Sequence, residues 1–199
     1  MQKIMFNDLY GLTEAVLDGR KTMTRRVVSD TLIDRYSVYD DYCSSVGTGG
    51  LPIERYYEKE FFAGQAPLMV GDVVAIAQSY KTIRDEYLDN KNFAKADTLE
   101  METKHSNGWN NKMFVRADNM PHHIKITDIK VERLQNIPEE ECLREGIRPC
   151  NFGKKFTPGD TRAYNTAREA FAALIDKVGK KGTWASNPWV FCYSFELID

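Results

Sequence analysis

Apolar positions along the chain fall into short blocks whose period changes several times. Leu12, Ala15 and Val16 recur at helical spacing, with Thr13 as a start signal and Gly19 as a stop, so residues 3 to 28 read as strand, helix, strand. KTMTRRVV, from Lys21, is rich in Thr and Val and predicts extended chain. VGDVVAIAQSYK (70–81) predicts a buried strand opened by a Gly-Asp turn. Residues 112–137 predict two extended segments parted at Asn119-Met120-Pro121. Within the second, Ile124, Ile126 and Ile129 break strict alternation around Thr127-Asp128, which predicts a bulge. A short helix follows from Pro138 to Glu145, with proline at its first position, three glutamates in its first turn and Gly146 closing it. Tyr164, Ala167, Phe171, Leu174, Ile175 and Val178 mark one face of an amphipathic helix that ends at Gly179. NPWVFCYSFELI supplies a final strand.

Two stretches carry no clean period. Residues 29–68 are polar, aromatic and glycine-rich. Residues 85–111 read as loop with a short helix around Phe93 to Leu99. Both are taken as insertions in one domain spanning 1–199, with Tyr56, Tyr57, Phe61 and Phe62 packing the first onto the rest. Strands and helices do not alternate as βαβ units. The expected class is therefore α+β, with a mixed or barrel-like sheet.

Composition narrows the function without naming it. The chain has 27 basic and 29 acidic residues, net charge -2, so no global field draws it to nucleic acid. The four cysteines, Cys43, Cys142, Cys150 and Cys192, show no CxxC pair and make no disulfide framework in 199 residues. No secretory signal opens the chain and no long apolar run spans a membrane, so a reduced, cytoplasmic protein is expected. His122 and His123 are adjacent and would face opposite ways on a strand, and no close ligand pair exists. Neither a metal nor a cofactor is expected.

One local feature departs from this background. GRKTMTRR (19–26) places Arg20, Lys21, Arg25 and Arg26 directly after the first helix. Such a run is either a solvated basic turn or a site for an anionic or nucleotide ligand. The order of this run, VGDVVAIAQSYK, KITDIKVERLQNIPEEECLREGI and the closing strand resembles the ASCH domain of the PUA-like superfamily, in its longer bacterial and phage form. The family signature, Gly-x-Lys-x-x-Thr/Glu-x-Arg, falls on Gly19, Lys21, Thr24 and Arg26.

The resemblance implies a small β-barrel with flanking helices and a cleft that takes RNA or a modified nucleoside or nucleotide. Some small ASCH proteins hydrolyse the acetyl amide of N4-acetylcytidine. Their lysine, threonine and glutamate match Lys21, Thr24 and Glu145 here, so this chain is read as a nucleoside- or RNA-binding module or, alternatively, an amidohydrolase. A protein-binding adaptor is a third possibility.

The residues can be weighed for that chemistry. A threonine hydroxyl needs a base, and a lysine serves as one when its pKa is lowered. In a regular strand Lys21 and Thr24 would face opposite ways, so they share a cleft only if Lys21 lies in the turn after Gly19, which the helix stop there favours, or if a bulge intervenes. Strand parity puts Arg26 beside Thr24 and sends Arg25 away. Glu145, a carboxylate at a helix C-terminus, is slightly unfavourable there, which favours its having some partner. Gly19, Arg20 and Arg26 are the expected ligand contacts, and Tyr80 and Trp189 the expected stacking surfaces. Lys21 is expected to be a solvated cation that contributes little to folding.

Overall fold

The computed structural model describes residues 1–45, 60–150, 155–159 and 161–199. Tyr56 and Tyr57 lie outside them. A five-stranded sheet forms the centre, in the order β1 (Gln2–Ile4), β3 (Val73–Ile76), β4 (His123–Arg133), β7 (Trp189–Leu197), β2 (Met23–Val27). β1 runs parallel to β3 and every other neighbour is antiparallel. This is a mixed α+β arrangement. The sheet is open by backbone pairing, with β1 and β2 at its edges, but it curls. Nη2 of Arg26 on β2 donates to the carbonyl of Met5, just beyond β1, at 2.7 Å.

The register makes the two faces explicit. Thr24, Tyr193 and Ile129 stand side by side on one face, and Arg25, Cys192 and Lys130 on the other. On β4 the register slips between Ile126 and Asp128, which is the bulge that the isoleucine spacing predicts. Before the slip the buried residues are Ile124 and Ile126, and after it Val131. One extra residue keeps both halves of a long strand facing the core.

The helices cover this sheet. α1 (Leu12–Leu17) buries Leu12, Ala15 and Val16. Gly19 then takes φ +71°, a left-handed conformation that costs glycine nothing, and the chain turns back toward β2. α5 (Glu139–Arg144) has Pro138 as its N-cap rather than its first helical residue, and buries Cys142. α6 (Ala167–Val178) is capped by Thr166 and buries Ala167, Ala170, Phe171 and Leu174. The short α7 (Thr183–Ser186) leads into β7, while β5 (Arg148–Pro149) and β6 (Phe156–Thr157) form a minimal ladder.

Both aperiodic stretches contain more helix than their patterning predicts, and of it the expected part is the short helix around Phe93 to Leu99. α2 (Asp30–Ser45) buries little beyond Leu32, and Tyr36 packs its ring 5.5 and 5.2 Å from Phe61 and Phe62. Phe62 in turn meets Trp189 at 5.8 Å, so the expected packing of Phe61 and Phe62 against the body holds. The strand expected through 81 ends at Ile76. Ser79 accepts from the N–H of Thr82 and starts α3 (Tyr80–Asp89), which pairs with α4 (Phe93–Thr103). Together they bury Tyr80, Ile83 and Leu99 against Ala75, Ala77, Val115 and Met120. The first extended segment of 112–137 is instead two 3-10 turns, Lys112–Phe114 and Ala117–Asn119.

Candidate functional site

Lys21, Thr24 and Glu145 line one cavity, although 121 residues separate the last two. The cavity lies where the two sheet edges approach, between Met5–Asn7, β2 and the apolar face of α6 at Phe171, Leu174, Ile175 and Val178. Its volume is about 60 Å³. Two left-handed glycines make the convergence possible. Gly19 turns the chain so that Lys21 precedes the strand rather than sitting in it. Gly146, at φ +103°, ends the turn after α5, where a Cβ would stand 3.1 Å from Leu12 Cδ2 and 3.6 Å from Lys21 Cδ. The backbone N–H of Thr22 donates to the carbonyl of Arg144 at 2.9 Å, tying the two turns together.

Lys21 is not the solvated cation expected from its setting. It is 3% exposed, and its Nζ donates to Met23 O at 2.7 Å, Glu145 O at 2.8 Å and Glu145 Oε2 at 2.7 Å. Three donors meet three acceptors, so the ammonium is satisfied without water. Burial lowers the Lys21 pKa below its ordinary value, and the Glu145 carboxylate opposes that shift. Thr24 is also buried, and its hydroxyl makes no hydrogen bond to any described residue.

Arg25 occupies the centre of the charge network, which strand parity did not anticipate. Its side chain is 1% exposed. Nη1 donates to Glu145 Oε1 at 3.1 Å, and Nη2 to Glu132 at 2.7 Å and to Glu141. Lys130 Nζ completes the set, 2.6 Å from Glu141 Oε1. Arg25 does point to the face opposite Thr24. Because β2 is an edge strand, however, its long side chain also reaches Glu145 and lines the cavity. A signal for this was present in the spacing. Glu141 and Glu145 lie four apart on one helix, and Lys130 and Glu132 two apart on one strand.

The remaining expected contacts divide. Arg26 lines the cavity beside Thr24, as parity requires. Gly19 shapes the turn and does not line the cavity. Arg20 points outward and pairs with Asp18 at 2.9 Å. Tyr80 is 3% exposed, and its hydroxyl accepts from the N–H of Arg116 at 2.8 Å, so it is a core residue of the α3–α4 layer and no stacking surface. Trp189 lies at the far end of β7, with the Arg133 guanidinium 4.4 Å above its ring, and is likewise outside the cavity.

No family model matches the chain, and no curated protein matches it. Among solved structures, a DUF984 protein of Enterococcus faecalis aligns over 94% of this chain and 67% of its own, at 13% identity and a TM-score of 0.38. Similarity of that degree defines neither fold nor function. No helix among the described residues is long and apolar enough to cross a membrane.

Proposed function

We propose that this chain is an ASCH-like protein that receives the modified end of a nucleoside in the cavity beside residues 19–26. The observation that carries this reading is the buried Lys21–Glu145 pair facing the same small cavity as Thr24. Buried charges are costly unless paired, and their clustering around a cavity rather than within solid core points to a site. Sites that enclose drug-sized ligands occupy about 300–1,000 Å³. A cavity of about 60 Å³ fits only an exocyclic substituent, with the base at the mouth near Arg26 and Asn7. Its size and the net charge of -2 favour a small ligand over an RNA groove.

The free hydroxyl of Thr24 favours a second reading, hydrolysis of an N4-acylated cytidine. Thr24 Oγ1 attacks the acyl carbon and its proton passes to a neutral Lys21, which the lowered pKa makes more accessible. The C–N bond then breaks as Lys21 returns that proton to the departing amine. Water cleaves the acyl-threonine ester, with Glu145 orienting it, and releases the carboxylic acid.

Calorimetric titration with N4-acetylcytidine and cytidine, together with chromatographic detection of free cytidine, tests both readings. Binding that requires the acetyl group supports the first. Turnover that disappears in Thr24→Ala and is not restored in Lys21→Arg supports the second, because guanidinium does not give up its proton. No binding of either nucleoside would end the proposal.

A further inference from the structure

A second cavity, of about 410 Å³, lies away from the Lys21 site, between α1 and the start of α3. Its lining includes Asp8, Glu14, Asp18, Gln78, Ser79 and Thr82. Gln78 is 5% exposed, its Oε1 is fully buried, and neither end of its carboxamide hydrogen-bonds to a described residue. A buried amide oxygen left without a partner costs about 1–3 kcal/mol, so a side chain holding one in a cavity wall asks for a ligand. A half-turn about χ3 exchanges its oxygen and nitrogen, so the group can present an acceptor to the cavity.

The rest of the wall is rich in acceptors. Glu14 leans over Gly11, where a Cβ would stand 3.5 Å from Oε2, and its carboxylate pairs with nothing described. Asp8 is partly neutralised by Lys112 at 2.7 Å, and Asp18 by Arg20 at 2.9 Å. Thr13 already spends its proton on Asp8 at 2.5 Å. The N-terminus of α3, which would otherwise attract an anion, has none to spare. Its N–H groups from Tyr80 to Ile83 donate to Gly108 O, Trp109 O, Ser79 Oγ and Ser79 O. Among the described residues no three His, Cys, Asp or Glu side chains converge tightly enough to hold a metal ion.

A wall of spread acceptors suits an extended, donor-rich organic cation. We infer that the cavity between α1 and α3 binds an alkylammonium ligand, with Glu14 neutralising its charge and Gln78 accepting one of its N–H groups. This site is independent of the one proposed beside Lys21.

The test is calorimetric titration of the full chain with 1,4-diaminobutane, with 1,4-butanediol and inorganic phosphate as controls. The diamine should bind and the controls should not. Glu14→Gln, on an exposed helix position, and Gln78→Leu should each weaken the diamine by about tenfold or more, the usual scale for a hydrogen bond to a charged group. Excess cytidine should leave the diamine affinity unchanged. Equal binding of diol and diamine, binding of phosphate, or an unaltered affinity in a folded Glu14→Gln protein would overturn the inference.

Discussion

Replacing Arg25 with Met keeps an unbranched, apolar stem and removes the guanidinium that touches three carboxylates. In the wild type its guanidinium faces Glu145, Glu132 and Glu141 with almost no exposure to solvent. Taking one partner from a buried ion pair costs about 3–5 kcal/mol, because the abandoned charge remains buried. Here Lys21 still holds Glu145 and Lys130 still holds Glu141, which places the expected loss near the lower figure. With an m-value of about 2–3 kcal/mol/M, a loss of about 3 kcal/mol moves the urea midpoint down by roughly 1–1.5 M.

The deficit should also depend on pH. Burial raises the Glu141 pKa, but hydrogen bonds from Lys130 and Arg25 outweigh it and leave the carboxyl below its usual value. A carboxyl depressed in the fold stabilises above its unfolded pKa, and loses that contribution as pH falls through its folded pKa. The gap between wild type and Arg25→Met should therefore narrow in acid. A midpoint unchanged within about 0.3 M at pH 7, an energy below 1 kcal/mol on the same m-value, would refute the network as a stabilising unit.

Two further outcomes follow from neighbouring features. Lys21 has a folded pKa below its unfolded value, so between those two pKa values the unfolded chain binds more protons and stability rises with pH. Measured as wild type relative to Lys21→Met, the difference should move in favour of wild type from neutral pH toward 10. Movement the other way would show that Glu145 outweighs burial. At Gly108 a Cβ would stand 2.6 Å from Tyr80 Cε2 and 3.2 Å from the carbonyl of Phe114. Gly108→Ala should cost about 1–3 kcal/mol by overpacking, a fall of several degrees in Tm. An unshifted Tm would mean the ring moves aside freely.

The strands that carry the site were legible because their patterning is local. Alternation, the slip at Thr127-Asp128 and the stops at Gly19 and Gly146 are all written within a few residues. The helices α2 and α3 were not, and α4 was legible only over its first part, around Phe93 to Leu99. α2 buries little of its surface, so no apolar stripe marks it, and α3 begins at a Ser79 cap inside what reads as the tail of a strand. At the site, Lys21, Thr24 and Glu145 came from the resemblance, and the turn that frees Lys21 from strand parity came from Gly19. The burial of Lys21 and the reach of Arg25 depend on β2 lying at a sheet edge beneath α6. Strand order is a property of pairing across the chain, and no stretch of sequence states it.

The bulge in β4 acts as a phase switch. Upstream of Thr127 the even-numbered side chains face the core; downstream the odd-numbered ones do, which is why Lys130 and Glu132 fall on the face of Arg25. The charge network thus depends on a surplus residue, Thr127, being set aside from the ladder rather than paired in it. Flattening the bulge with every residue kept would force a choice on the strand. It would keep Ile124 and Ile126 inside and turn Lys130 and Glu132 to the core side, or keep the network and expose both isoleucines. Deleting Thr127 instead removes the conflict, because Ile129 then follows Ile126 by two positions and both halves alternate in one phase.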